Sequence, residues 1–220
     1  MAILEPVKRG KSLTDQALQA IRAKIVSGQW RLGEALSEIA IAAELGVSKT
    51  PVREALLHLK WEGLVEIQPQ KGTFVFRMTA EQVTQLSEIR EILELGALRL
   101  ALQHAPDALG ETLARIVDRM RRALDHADSV AYRTLDGDLH QGIVDCSGNL
   151  FLSEAYAGIA FRVQALRNRL SVDAQLNQSS LIEHGELARM IRAADGAGAE
   201  ALLRAHIRAT RSHYIAVLAE

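Results

Sequence analysis

Residues 45–57 read LGVSKTPVREALL, a stretch built to start a helix sharply. Gly46 breaks whatever precedes it, Ser48 and Thr50 supply hydroxyls, and Lys49 and Arg53 supply cations. Pro51 suits a first helical turn, because the N–H it lacks would have had no intrahelical partner. From Val52 onward the helix turns apolar through Ala55, Leu56 and Leu59, a face for packing on its own domain. The first turn of a helix carries free backbone N–H groups and the positive end of the helix dipole, which together favour phosphate. Ser and Thr before a helix are also ordinary caps. The stretch alone therefore admits both a capped surface helix and one that meets a polyanion.

The flanking segments narrow the choice. Upstream, Leu13 to Ser27 places Leu18, Ile21, Ile25 and Val26 at helical spacing and closes at Gly28. A second short helix is expected from about Leu36 to Leu45, with Leu36, Ile39, Ala40 and Ala43 available for burial. Downstream, LVEIQ (64–68) and TFVFR (73–77) are β-prone runs around the turn PQKG (69–72), which reads as a hairpin. Helix, helix, tight turn, helix and hairpin is the order of a winged helix-turn-helix, whose last helix enters the major groove of double-stranded DNA by its N-terminal end. Ser48, Lys49, Thr50 and Arg53 would then reach phosphates and base edges. Lys71 and Gly72, in the hairpin turn, would approach a backbone phosphate.

Beyond Met78 the pattern is helical throughout. Periodic segments cover roughly 80–103, 107–126, 129–146, 150–177, 180–194 and 198–219, with breaks at Pro106, near Asp128, at Ser147-Gly148-Asn149, near Gln178-Ser179 and at Gly196-Ala197-Gly198. Six such helices with short connections argue for an antiparallel bundle. The fold expected is mainly α: a winged helix-turn-helix over 10–78, then a six-helix bundle over 79–220. Composition agrees, since 220 residues at 48 % apolar content can build two cores. No apolar run is long enough for a membrane span, the first residues lack a secretory pattern, and the single cysteine, Cys146, excludes an internal disulfide framework. A cytoplasmic protein is expected. Residues 1–78 carry 11 Lys+Arg against 8 Asp+Glu, whereas 79–220 carry 15 against 19, so a polyanion partner suits the first part only.

At this point the residues match a family. From Ile25 to Val75 the chain resembles the DNA-binding domain of GntR-family bacterial transcription regulators, through IVSG, LGEAL, LGVSKTPVREAL, EGLV and KGTFV in order. The resemblance implies operator contacts by Lys49, Thr50 and Arg53 with Ser48, and a wing tip at Gly72. Two positions depart from it. The family usually has arginine at Lys49, which as lysine cannot make a bidentate guanine contact, and often at Ile39.

The second part carries a different chemistry. Asp136 and His140 are four apart, so in a helix they share a face and could share an ion. His184 and His206 lie on other helices; one Asp and three His from three helices would suit a divalent transition metal such as zinc, nickel or manganese. An ordinary ion pair and polar surface histidines fit the same spacing, and His213 shares a stripe with His206. Residues 81–217 resemble the FCD effector-binding domain of FadR-type GntR regulators, through EIREILELGALRLA (88–101), LDGDLHQGIVDCSGN (135–149) and EHGELARMIRAADGAGAEALLRAHI (183–207), with a length closer to the VanR-like subdivision. That resemblance implies metal ligands at Asp136, His140, His184 and His206, with the ion also holding a small organic acid effector. It further implies that Arg90 aims into the effector cavity; the alternative for Arg90 is a surface pair with Glu94, four residues on. The expected protein is therefore a metabolite-responsive regulator, a repressor acting as a homodimer on a palindromic operator, and not an enzyme. The rivals are a regulator whose helical domain only dimerises without metal, and a metal-dependent hydrolase, for which Glu183 is the one nearby base.

Overall fold

The computed structural model of the protein describes residues 12–170 and 174–219. The first two residues of the expected DNA-binding domain, 10 and 11, lie outside the described residues, as do Lys8 and Lys11. The chain divides into two compact units, residues 1–77 and 78–220.

In the first unit, helix α1 (Leu13–Ser27) starts at a capping box. Ser12 Oγ accepts from the Asp15 N–H at 3.0 Å, and Asp15 Oδ2 accepts from the Ser12 N–H at 3.1 Å. Gly28, at φ 84°, ends it. Strand β1 (Ala35–Leu36) precedes helices α2 (Glu38–Leu45) and α3 (Lys49–Trp61), and strands β2 (Val65–Gln68) and β3 (Gly72–Val75) follow. The sheet order is β1-β3-β2, antiparallel throughout, with Leu36 opposite Thr73 and Gln68 opposite Gly72. Strand β1 and the true start of α2 correct the sequence reading, which placed Leu36 at the head of a helix. Leu36 instead buries its side chain from a strand, and Ser37 caps α2 by accepting from the Ala40 N–H at 3.3 Å. With Leu36 removed from the helical stripe, the buried positions of α2 become Ile41 and Ala42, and Ile39, Ala40 and Ala43 face solvent. Ile21, Ile25, Val52, Leu56, Leu59, Leu64 and Val75 form a fully buried core, each apolar side chain contributing on the order of 1.5–3 kcal/mol.

The second unit contains α4 (Ala80–His104), α5 (Pro106–Asp125), α6 (Ser129–Cys146), α7 (Leu150–Leu170), α8 (Ala174–Arg192) and α9 (Gly196–Ala219). Asn149 caps α7, its Oδ1 accepting from the Leu152 N–H at 3.1 Å. One break falls elsewhere than expected. Gln178 and Ser179 lie inside α8, and residues 171–173, which follow the described part of α7, lie outside the described residues. The polar run NQSS (177–180) reads as a breaker, yet Asn177, Leu181, His184, Ala188 and Ile191 form a buried stripe at helical spacing. The Tyr132 hydroxyl on α6 donates to the Asn177 carbonyl at 2.7 Å and ties that first turn down. Among the described residues, no helix is long and apolar enough to cross a membrane.

Candidate functional site

Helix α3 presents its first turn to solvent. Ser48 is its N-cap residue in extended conformation, with no side-chain cap bond, and Ser48, Lys49 and Thr50 are all exposed. Pro51 and Val52 turn inward, so the helix changes from polar to buried within one turn. Arg53 is exposed and grips Glu38 of α2, Nη2 to Oε2 at 2.8 Å and Nε to the same oxygen at 3.2 Å. The hydrogen bond and charge of Glu38 raise its pKa further. At the other end of the sheet, Pro69, Gln70 and Lys71 connect the paired residues Gln68 and Gly72. Gln70 (φ 62°) and Gly72 (φ 117°) take the positive φ this tight turn needs, and Lys71 and Gly72 are exposed at its tip. Every residue singled out for DNA is thus on the surface, on the helix start or on the hairpin turn. Sequence reasoning missed Glu38 as the partner of Arg53.

In the second unit the chain does the opposite and buries its charge. The inward stripe of α4 runs Val83, Leu86, Arg90, Glu94, Leu98, Ala101, so an ion pair sits where apolar residues are expected. Arg90 is 3 % exposed and Glu94 0 %, with Nε to Oε1 at 2.6 Å. The surface-pair reading of these two is therefore corrected: they are paired, but in the core. The same placement on buried stripes brings Asp136 and His140 from α6, His184 from α8 and His206 from α9 together. Their ligand-type atoms all lie within 4.8 Å of one another, and the three imidazole centroids are 4.6–5.4 Å apart. His213 is not part of this group.

The surroundings set the protonation of the cluster. His140 Nδ1 lies 2.7 Å from Glu94 Oε2, and its Nε2 lies 2.9 Å from Arg90 Nη2. The Tyr156 hydroxyl donates to Glu94 Oε1 at 3.0 Å. His206 Nδ1 lies 2.6 Å from Glu183 Oε2. Arg167 of α7 is ion-paired with Asp136. Among the described residues neither ring nitrogen of His184 has a hydrogen-bond partner, although Nδ1 stands 3.6 Å from Asp136 Oδ1. Burial pushes His140 down to about 4 against the pull of Glu94, and burial with the neighbouring His206 holds His184 well below its ordinary value. Burial opposes the charged forms of Glu94 and Asp136, yet Arg90 with His140, and Arg167 with the histidines, outweigh it and hold both carboxyls well below the usual range. Neutral imidazoles and an ionised carboxylate are the forms a transition metal requires, and an orphaned buried imidazole is the kind of group that such an ion satisfies. The residues present fit a divalent transition metal.

Beside the cluster lies a cavity of about 20 Å³ lined by Arg90, Tyr132, Asp136, Arg167, His206 and Tyr214, among others. It is sized for a water molecule, so an organic acid enters only if side chains give way. Sequence reasoning missed Tyr156 and Arg167, and missed Glu94 as a partner of His140. The signal for Glu94 was its place on the apolar stripe of α4. Tyr156 and Arg167 carry no comparable local signal.

A winged helix with an exposed polar recognition turn, joined in one chain to a helical unit, defines a DNA-binding transcription regulator. Two family descriptions match it: "Bacterial regulatory proteins, gntR family" over residues 13–75 and "FCD domain" over residues 85–209. The chain belongs to the GntR family of bacterial regulatory proteins, among those that carry an FCD domain, and so to regulators rather than enzymes. It is 32 % identical over 191 residues to an uncharacterized HTH-type transcriptional regulator of Streptomyces ambofaciens, covering 86 % of this chain and 79 % of that one. It is 33 % identical over 165 residues to the Nta operon transcriptional regulator of Aminobacter aminovorans, covering 71 % and 77 %. A solved GntR regulator from Rhodococcus sp. RHA1 shares the fold, with TM-score 0.83 over 94 % of this chain and 99 % of that one, at 22 % identity.

Proposed function

We propose that this regulator binds a palindromic operator as a homodimer and responds to a small organic acid held near a divalent transition metal in its helical domain. Ser48, Lys49, Thr50 and Arg53 address the major groove, and Lys71 and Gly72 the neighbouring backbone. Two such units in a dimer read half-sites about one DNA turn, roughly 34 Å, apart. Residues 10–78 would serve DNA and 79–220 effector and dimerisation, a division that the two compact units, 1–77 and 78–220, support. Repression released by effector is the sign of control that the family resemblance implies.

The observation that carries the metal reading is the buried group Asp136, His140, His184 and His206, with His184 unpartnered at both nitrogens. When bound, a divalent ion such as zinc, nickel or manganese supplies Lewis-acid attraction for a carboxylate. The protein's part is to keep His140 and His184 neutral and Asp136 ionised. The single Nε2 lone pair of His140 serves either Arg90 or an ion, not both. Arg90 released from that nitrogen is a buried guanidinium beside the cavity, suited to clamp the effector carboxylate. By linkage, effector that weakens operator binding is itself bound more weakly by the operator complex. The hydrolase alternative loses its base, because Glu183 is engaged with His206.

Metal analysis of the gently purified protein tests this. One ion per chain is expected, and replacing His140 and His206 together by Ala should remove it. It should also abolish the rise in Tm that added zinc gives the wild type. Unchanged metal content in that variant would sink the ligand set, and a wild type without metal would leave only a dimerising domain.

A further inference from the structure

We infer that Glu94 and Glu183 are positioning residues of the metal centre, each accepting the Nδ1–H of one ligand histidine and so turning that ring's Nε2 toward the ion. The inference rests on the metal reading above. A neutral imidazole has one N–H and one lone pair, and an ionised carboxylate only accepts. With Glu94 Oε2 at 2.7 Å from His140 Nδ1 and Glu183 Oε2 at 2.6 Å from His206 Nδ1, the proton of each ring is placed on Nδ1 and the lone pair on Nε2. Carboxylates behind ligand histidines fix ring orientation and raise ligand basicity.

The two carboxylates are built differently. Glu94 is fully buried and its other oxygen takes the Arg90 Nε–H at 2.6 Å and the Tyr156 O–H at 3.0 Å, so it is held by three side chains. Glu183 is part-exposed and sits next to His184 on α8. One dipeptide of α8 therefore serves two ligands: His184 offers its own ring, and Glu183 grips the ring that α9 offers. His184 has no such support on either nitrogen. Two ligands are preset in tautomer and direction, and the third is left to be oriented by the ion.

Zinc titration against a competing chelator, with nitrogen-15 spectra of the imidazoles, tests this on the full chain. Glu183→Ala should bind zinc roughly ten- to hundred-fold more weakly than wild type, with the far-UV circular dichroism unchanged. Glu183→Gln, which keeps an acceptor at the same place, should recover most of the loss, whereas Glu183→Leu, which keeps the bulk without an acceptor, should not. In chelator-treated wild type, His140 and His206 should both carry their proton on Nδ1, which tests Glu94 without any substitution. Zinc affinity of Glu183→Ala within about twofold of wild type, or an Nε2–H tautomer at either ring, would overturn the inference. A wild type that takes up no zinc would instead overturn the metal reading itself.

Discussion

Arg53, proposed above to read the operator, is held in place by its own domain. It is exposed on the first turn of α3, but Glu38 holds its guanidinium by two nitrogens, so the fork is oriented rather than loose. An exposed pair of this kind adds little to stability; under the proposed function its value lies in aim. Arg53→Ala should therefore lower affinity for an operator selected in vitro by roughly ten- to hundred-fold and relax preference at one base pair, with Tm almost unchanged. Lys71→Ala should weaken all sequences alike and reduce the salt slope by about one. Equal losses on selected and random DNA for Arg53→Ala would remove it from base readout. At this scale the sequence exposes residue types well: hydroxyls and cations at a helix start, and an Asp and His four apart. It hides partners contributed by distant segments. Arg167 is 31 residues from Asp136 in the chain, and no local pattern announces that they meet.

At the scale of elements, what was legible were the long amphipathic helices and the β2–β3 hairpin, because their periodicity and turn residues are local. Strand β1 was not, since two residues become a strand only by pairing with β3, 37 to 39 positions away. The break expected at Gln178-Ser179 was misplaced because that polar part of α8 looks like a linker until Tyr132 is seen anchoring it. The joint between α3 and β2 is testable. Gly63 has φ 69°, its N–H reaches the Lys60 carbonyl at 3.0 Å, and the Leu64 N–H returns to the Leu59 carbonyl at 2.9 Å. This is a left-handed helix end that turns the recognition helix into the sheet and delivers fully buried Leu64 and Val65 to the core. Gly63→Ala places a Cβ in that conformation and should cost about 1–2 kcal/mol, read as a lower urea midpoint with unchanged m value. A neutral result would mean that the turn tolerates a side chain there, and that Leu64, not glycine, sets the joint.

Across the whole molecule the charge is divided by purpose. The net charge is −1, but residues 1–78 are in cationic excess and 79–220 in anionic excess, and the second part keeps Arg90, Glu94, Asp136, Arg167 and three histidines inside. Burying titratable groups links folding to pH. His140 and His184 are depressed in the folded protein, His140 to about 4, whereas unfolded histidine titrates near about 6.5. Between those values the unfolded chain binds protons that the folded one refuses, so stability must fall as pH falls. Above about pH 7 both rings are neutral in both states and the effect vanishes. Glu94 and Asp136 have the usual carboxylate sign: their stabilisation is present above about pH 4 and is lost only on further acidification, so they add nothing to the slope between pH 5 and 7. For chelator-treated protein, each of the two rings contributes a slope approaching about 1.4 kcal/mol per pH unit. Urea midpoints at pH 7, 6 and 5 should therefore drop progressively. His184→Leu, which removes one of the two linked protons, should roughly halve the change. Midpoints that stay level or rise toward pH 5 would mean that these rings are charged in the folded protein. A charged ring has no lone pair to give an ion, so in that case ion binding would have to displace protons and would weaken steeply below neutral pH.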